Sequence, residues 1–204
     1  MKRWLFASAL LSMLQVSSYG AEVEYSGIVE VMPGNVLLSS DLSNLSFTGY
    51  TNGKVIDEGL DSDASYMPSV SGGLDATNGV VRFQLLGGLS TMTNSDFSAT
   101  VLKLEAAAYY MGSYSNKLGI GAHITSLSFL SPSWSGSADA SFSDTNGIAP
   151  GISVIFGNEW IVKGSVDYVM GTNMDITTKN GTVSNYSSIS LDGVMVQLGL
   201  MYKF

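Results

Sequence analysis

His123 is the only histidine of the 204-residue chain, and the chain contains no cysteine. A histidine can act as a general base or can activate a hydroxyl nucleophile, so its neighbours decide what it could do. Thr125 lies two residues further along and would share its face in a β-strand. Two interpretations stay open: part of a hydrolytic site, or a histidine hydrogen-bonded to a neighbouring strand. A multi-histidine metal site and any cysteine-based zinc or iron–sulfur site are excluded.

Five further charged residues lie inside segments that are otherwise apolar or small: Arg82, Lys103, Glu105, Lys163 and Asp167. In a narrow barrel such charges could line a polar channel, or they could fill the interior as salt bridges. An eight-stranded interior is just wide enough to be filled by side chains, and buried charges must pair, so we favour the second interpretation. A hairpin folded around residue 94 would bring Arg82 close to Glu105, which makes these two residues the best candidate ion pair.

Two loop features could bind something. Residues 57–63 (DEGLDSD) form the densest acidic run. They could hold Ca²⁺, but the run lacks the ligand spacing and the terminal Glu of an EF-hand loop, and most such runs are solvated. Trp134 and Phe142 could form a contact site for a partner, or they could pack their loop upon itself. We expect no cofactor and no metal.

The charge and the N-terminus indicate where the protein acts. Nine Lys+Arg against seventeen Asp+Glu give a net charge of −8, which makes a nucleic acid an improbable partner. Lys2 and Arg3 precede an apolar stretch from Trp4 to Leu14, and Ser18-Tyr19-Gly20 offers small residues before a cut at Ala21. This layout predicts a secretory signal peptide at residues 1–20, because the apolar run is too short for a membrane anchor. Export without cysteine fits a Gram-negative envelope protein.

Apolar residues then recur at every second position, which is the signature of β-strands. Eight segments show this period: Val23–Val31, Tyr66–Leu74, Val81–Leu89, Thr100–Tyr110, Leu118–Ile124, Ile148–Phe156, Trp160–Met170 and Val194–Phe204. The more apolar face of these segments carries no charge, and the other face is mostly Gly, Ser and Ala with a few charges of both signs. A soluble sandwich usually has a far more charged outer face. The pattern therefore predicts an apolar face towards lipid and a narrow interior of small and paired polar residues.

The connections between these segments alternate in length. Residues 32–65, 90–99, 125–147 and 171–193 are long gaps, whereas 75–80, 111–117 and 157–159 are short. Outer-membrane barrels have long extracellular loops and short periplasmic turns. The sequence thus predicts an all-β fold, an eight-stranded antiparallel transmembrane up-and-down β-barrel at residues 21–204, with four long extracellular loops. Its first and last strands should pair, with Lys203 close to Glu22 or Glu24.

The last strand carries a recognisable motif. Phe204 is preceded by apolar residues at every second position: Tyr202, Leu200, Leu198, Val196 and Val194. This ending resembles the C-terminal signature of bacterial outer-membrane barrels, which the barrel assembly machinery recognises. In size the chain resembles the eight-stranded group that includes the outer-membrane protein A transmembrane domain, outer-membrane protein X and the opacity-type surface proteins. The resemblance implies an outer-membrane location, but this fold hosts adhesins, structural proteins and enzymes alike.

The expected function is that of a non-enzymatic surface barrel, supporting envelope integrity or loop-mediated contact. We expect a monomer whose partners are outer-membrane lipid and, during biogenesis, the assembly machinery. A small channel is the alternative. A lipid A hydrolase is a third possibility, since some outer-membrane lipid A deacylases combine a His and a Ser at the spacing of His123 and Thr125. In those enzymes, however, the pair faces lipid and the hydroxyl belongs to a serine.

Overall fold

The computed structural model describes residues 23–51, 53–60, 62–112 and 117–204. The predicted signal peptide, Glu22, Asp61 and the middle of the predicted turn at 111–117 lie outside the described residues. The strands, in chain order, are β1 (Glu24–Met32), β2 (Val36–Leu38), β3 (Ser46–Thr51), β4 (Lys54–Gly59), β5 (Ala64–Tyr66), β6 (Ser69–Thr77), β7 (Val81–Asn94), β8 (Phe97–Tyr110), β9 (Leu118–Trp134), β10 (Ala140–Phe142), β11 (Thr145–Gly157), β12 (Trp160–Val169), β13 (Met174–Thr178), β14 (Thr182–Ser184), β15 (Ser188–Ile189) and β16 (Gly193–Lys203). One short helix, α1 (Ser40–Ser43), follows β2.

The eight long strands, β1, β6, β7, β8, β9, β11, β12 and β16, form an antiparallel up-and-down arrangement. Each pairs with the next long strand along the chain. The pairing of the first with the last strand is confirmed, because β16 also pairs with β1 through the register Val31↔Leu200. The eight long strands therefore form a cycle of pairings, in which the last strand is hydrogen-bonded to the first. Among the described residues, no helix is long and apolar enough to cross a membrane.

The cycle has two different ends. At the terminal end, where β1 begins and β16 ends, the connections are short: 78–80, 111–117 and 158–159. At the opposite end, the loop end, lie the long connections 33–68, 135–144 and 170–192. These connections are not simple loops, since they contain β2 to β5, α1, β10 and β13 to β15, and β14-β3-β4 forms a separate small sheet.

The prediction of a long loop at 90–99 is wrong. β7 runs to Asn94 and β8 begins at Phe97, so only a two-residue turn joins them. The segment is rich in Ser and Thr, which suggested a loop, but threonine also favours strands. Its Met92 and Phe97 are fully buried at the loop end. Part of the long loop predicted at 125–147 is also strand, because β9 continues to Trp134. The strand predicted at 66–74 lies at Ser69–Thr77.

Alternation along the long strands separates two faces. The outer face exposes large apolar side chains, among them Leu74, Leu89, Leu102, Ile120, Ile152 and Leu198. The interior contains an apolar cluster at each end and a polar layer between them. The larger cluster fills the loop end and takes in side chains of the first long connection, namely Leu37, Leu42, Leu45, Phe47, Ile56, Leu60 and Met67. The smaller one includes Ile28, Leu86, Tyr109, Ile155 and Met201.

Candidate functional site

The candidate site is the polar layer between the two apolar clusters, here called the interior network. It consists of Glu30, Lys103, Glu105, His123, Ser153, Lys163, Asp167 and Gln197. Each of these residues occupies an inward position of its strand and is 5% exposed or less. Alternation is the reason, because a strand that turns apolar residues outward at every second position turns the residues between them inward.

Lys163 lies at the centre of the ion pairs. Its Nζ donates to Glu30 Oε2 at 3.0 Å and forms a further ion pair with Glu105 Oε1. Lys103 Nζ lies 3.8 Å from Glu30 Oε1 and donates to the side-chain oxygens of Ser69 and Gln197, each at 3.3 Å. Two ammonium groups and two carboxylates thus neutralise one another where water is excluded.

Asp167 connects the second half of the network. Its carboxylate accepts hydrogen bonds from Gln197 Nε2 at 2.8 Å and from Ser165 Oγ at 3.0 Å, and it pairs with Nε2 of His123. On the other side of the ring, His123 Nδ1 lies 3.2 Å from Ser153 Oγ. Gln197 contacts both Lys103 and Asp167 and therefore joins the two halves.

Asp167, His123 and Ser153 form a carboxylate–imidazole–hydroxyl chain, the order found in serine hydrolases. Thr125, the residue that the sequence pairs with His123, is fully buried, and its Oγ1 has no hydrogen-bond partner among the described residues. Ser153 itself is only 2% exposed, and its hydroxyl donates to Tyr109 Oη at 3.2 Å. A substrate could not reach this hydroxyl without opening the interior. The hydrogen bonds therefore fix the positions of these side chains and do not expose Ser153 as a nucleophile.

The predicted pair of Arg82 with Glu105 is wrong. Arg82 lies opposite Tyr109 in the β7–β8 ladder, and Glu105 lies opposite Leu86. The hairpin turns at residues 95–96 and not at 94, which moves the register by three residues. Arg82 Nε instead lies 3.3 Å from Asp75 Oδ1 at the terminal end. Lys203, expected near Glu22 or Glu24, lies 3.9 Å from the other oxygen of Asp75.

Glu58, within the acidic run, fastens two connections of the loop end to each other. It accepts hydrogen bonds from Trp134 Nε1 at 3.1 Å and from the backbone N–H groups of Ser137 at 2.7 Å and Ala138 at 3.1 Å. Partial burial raises the pKa of Glu58, but these hydrogen bonds to the carboxylate outweigh it and hold the pKa below its ordinary value. Its oxygens are occupied by the protein itself, which disfavours the calcium interpretation.

The third long connection is fastened by a carboxylate as well. Asp192 accepts hydrogen bonds from the backbone N–H of Gly171 at 3.1 Å, and from the N–H and the hydroxyl of Thr172 at 2.9 and 2.6 Å. Burial raises the pKa of Asp192, but these hydrogen bonds to the carboxylate lower it by a larger amount. The pKa of Asp192 is therefore below its ordinary value. Ser190 N donates to Asp41 Oδ2 at 3.1 Å and ties this connection to the first one.

The aromatic residues of the loop end pack between connections. Trp134 meets Phe47 edge-on with ring centroids 4.8 Å apart, and Phe142 meets Phe97 at 5.3 Å. Both Trp134 and Phe142 are only partly buried. Both residues thus pack against Phe47 of the first connection, and Phe142 also packs against the β7–β8 hairpin.

The residues of the C-terminal motif point outward along β16. Phe204 is 70% exposed, and Tyr202, Leu200 and Leu198 are each at least 40% exposed. Phe204 and Gly27 exchange two backbone hydrogen bonds of 3.0 Å each, which extends the pairing of β16 with β1. The Phe204 ring covers Gly27, where a Cβ atom would come within 2.6 Å of ring carbon Cε2.

Sequence reasoning missed several members of the site. Ser153 and Gln197 each lie between apolar neighbours in an alternating segment, and a hydroxyl or an amide at such a position is the available signal. Asn78 and Gly79 indicate a turn that begins near Asp75, whereas β6 continues to Thr77. Glu30 lies between Val29 and Val31 and carries the same signal as Lys103 and Glu105, a charge inside an alternating apolar segment.

Comparison with known proteins adds little to this geometry. No family model matches the chain, and no curated protein matches it. Among solved structures, the outer membrane protein OprG from Pseudomonas aeruginosa is similar, with 15% sequence identity and a TM-score of 0.49 over 88% of this chain and 95% of that one. At this level of similarity nothing is transferred from OprG to the chain.

Proposed function

We propose that the chain forms an eight-stranded antiparallel β-barrel in the outer membrane of a Gram-negative bacterium. Its role is non-enzymatic: it supports envelope integrity or makes contacts through its loop end. One observation carries the proposal. The long strands expose apolar side chains on the outside and bury their charged side chains inside, the reverse of what water would favour.

Strand β8 shows this reversal most clearly. Leu102 and Leu104 are 44% and 39% exposed, whereas the intervening Lys103 and Glu105 are 5% and 1% exposed. Apolar surface placed in water costs about 25 cal/mol per Å², and a belt of such residues around a whole protein would favour aggregation. A lipid bilayer removes this cost, and it also requires a cycle of strands without a free edge.

The two ends then fit the two sides of the outer membrane. The short turns, the start of β1 and the end of β16 belong to the periplasmic side, and the long connections belong to the extracellular side. A cleaved signal peptide and recognition of Phe204, Tyr202, Leu200 and Leu198 by the barrel assembly machinery are parts of the same proposal. The protein is proposed to act as a monomer, because the outer belt continues around the cycle.

The contents of the interior argue against a channel. The interior network fills the middle with ion pairs, and the larger apolar cluster fills the loop end with side chains of the first connection. Ions would have to displace Lys163 from both of its carboxylates, which would leave buried charges uncompensated. The polar interior is therefore proposed to be a structural plug.

The Asp167–His123–Ser153 chain is the one observation in favour of a hydrolase. Enclosure of Ser153 argues against it, since acyl transfer requires a carbonyl carbon within reach of the nucleophile. A fluorophosphonate probe tests this directly in the folded protein. We expect no labelling, whereas labelling that disappears in Ser153→Ala would establish a reactive serine.

Expression with the native signal peptide in a Gram-negative host tests location, and planar bilayers test the closed interior. We expect the protein in the outer-membrane fraction. After reconstitution into planar bilayers we expect no conductance steps, with an open porin as the positive control. Recovery in the aqueous periplasmic fraction would overturn the membrane assignment. Reproducible conductance steps would replace the plug with the channel alternative.

A further inference from the structure

Strand β4 forms one edge of the small sheet at the loop end. The order of this sheet is β14-β3-β4, and among the described strands β4 pairs with β3 alone. Four of its six residues are exposed. The side of β4 that faces away from β3 is here called the open edge. Such an edge presents backbone N–H and C=O groups to which a further strand can bind.

The hydrogen bonds at the end of β4 show which backbone groups lie on the open edge. Leu60 N donates to Leu45 O at 3.2 Å, so the backbone of Leu60 faces β3. In an antiparallel pair this direction alternates along the strand, so the backbone of Ile56 faces β3 as well. Val55 and Asp57 therefore direct their N–H and C=O groups to the open edge, where no described strand pairs with them.

The outer face of the small sheet carries apolar side chains beside the open edge. Tyr50 lies opposite Val55 in the β3–β4 ladder, and the two side chains are 64% and 77% exposed. Alternation places Val183 of β14, which is 60% exposed, on the same face. The other face of the sheet contributes Phe47 and Ile56 to the larger apolar cluster. The sheet thus packs on the loop end with one face and exposes an apolar surface with the other.

The charge of the loop end decides which strand fits the open edge. The three long connections contain two basic residues, Lys54 and Lys179, against nine aspartates and glutamates. On β4 itself, Asp57 is exposed and shares the outer face with Val55. An acidic segment would be repelled here, whereas a cationic segment would be attracted and oriented.

We propose that the open edge binds an extended cationic polypeptide segment as an additional antiparallel strand. The bound segment places a lysine or arginine opposite Asp57 and an apolar residue opposite Val55, because opposite residues of an antiparallel pair share a face. This partner deepens the contact role proposed above for the loop end and rests on it. The binding step itself depends only on the fold, so it is tested in purified protein.

The probe is the acetylated and amidated peptide Arg-Ser-Arg-Ser-Val-Thr-Arg, whose second arginine and valine would lie opposite Asp57 and Val55. NMR follows its binding to the protein reconstituted in nanodiscs of an uncharged lipid. We expect saturable binding that weakens as the salt concentration rises. Hydrogen exchange of the Val55 and Asp57 amides should become slower, whereas the Ile56 amide, which faces β3, should not change.

Two N-methylated forms of the probe distinguish strand pairing from attraction between charges. A methyl group on the valine nitrogen removes the N–H that would donate to Val55 C=O, and we expect binding about tenfold weaker or more. A methyl group on the preceding serine nitrogen is the matched control, because that N–H points away from β4, and the affinity should stay within about twofold. A peptide with glutamate in place of each arginine should not bind.

Variants of the protein locate the site. Asp57→Lys should weaken binding of the cationic peptide about tenfold. Asp175→Lys, at an exposed position of the third long connection, changes the net charge equally and should have little effect. Val55→Pro removes an N–H from the open edge without removing a bond to β3, so the fold should persist while binding is lost. Unfolding in urea checks that each variant is folded.

Any of four results would overturn the proposal: no saturable binding, equal binding of the glutamate peptide, equal binding of the peptide methylated at valine, or equal effects of Asp57→Lys and Asp175→Lys. Self-association of the protein without peptide, with the Val55 and Asp57 amides protected, would assign the open edge to a second copy of the chain and would overturn it as well. None of these results bears on membrane location, so a failure here leaves the barrel assignment unchanged.

Discussion

Lys163 lies between Glu30 and Glu105 in the middle of the interior, with its ammonium hydrogen-bonded to both carboxylates. The three residues come from strands β12, β1 and β8, which are far apart in the chain. Strand β1 meets β12 only through β16, so this contact crosses the interior. The ion pair therefore holds together strands that share no backbone hydrogen bonds.

Replacing Lys163 by methionine should destabilise the protein strongly. Methionine fills a similar volume but leaves two buried carboxylates without their cation, and breaking such a pair costs about 3–5 kcal/mol. Urea unfolding in lipid vesicles measures the loss. The double variant Lys163→Met/Glu105→Gln should recover part of it, and Lys179→Met on the exposed surface should change nothing. A loss no greater than that of Lys179→Met would show that the network does not stabilise the fold.

Glu58 should make the attachment of the first connection dependent on pH. Its pKa is lowered in the folded protein, so its contribution is complete above the ordinary value of 4.5 and is lost as the pH falls through the lower folded-state pKa. At neutral pH, Glu58→Gln should weaken the attachment by about 1 kcal/mol, or about fivefold in local opening.

Hydrogen exchange of residues 54–60 and 134–138, corrected for intrinsic rates, measures this opening. The difference between wild type and Glu58→Gln should vanish at low pH, because the wild-type carboxyl is then protonated. Asp57→Asn, a neighbouring exposed position, serves as the control. Identical exchange of wild type and Glu58→Gln at neutral pH would mean that the carboxylate does not hold the connections together.

Deleting Phe204 should separate assembly in the cell from stability. The resemblance of the C-terminal motif implies recognition by the assembly machinery, so outer-membrane levels should fall sharply. In purified protein the contacts with Gly27, the stacking on Tyr202 and the burial of one ring in lipid are lost, and we expect a cost of about 1.5–3 kcal/mol. Phe204→Trp should retain normal levels. Unchanged levels of the deletion variant in a Gram-negative host would show that the motif is coincidental.

The strands and their faces were largely predictable from the sequence, because alternation is a local property. Leu102, Lys103, Leu104 and Glu105 predict their own sides without any knowledge of their neighbours. The partner of each charge was not predictable, since it depends on register. A turn at 95–96 in place of 94 was enough to move Arg82 from Glu105 to a position opposite Tyr109.

The loop end was the least predictable part. Its Ser- and Asn-rich composition indicates solvated loops, yet Leu42, Phe47 and Met174 lie fully buried within it. These residues are widely spaced in the sequence and show no regular period, so only the tertiary structure reveals that they form one cluster. The same holds for Ser153, whose proximity to His123 depends on the pairing of β11 with β9.

A spin-label scan of β8 tests the central proposal, a closed barrel that turns its apolar face to lipid. Because the chain has no cysteine, single cysteines at 102, 104, 106 and 108 and at 101, 107 and 109 can each carry a nitroxide in the reconstituted protein. The even positions should be accessible to oxygen dissolved in lipid and inaccessible to a water-soluble nickel chelate, and the odd positions should be inaccessible to both. Even positions accessible to the chelate would contradict the membrane-facing assignment, and odd positions accessible to it would contradict the closed interior.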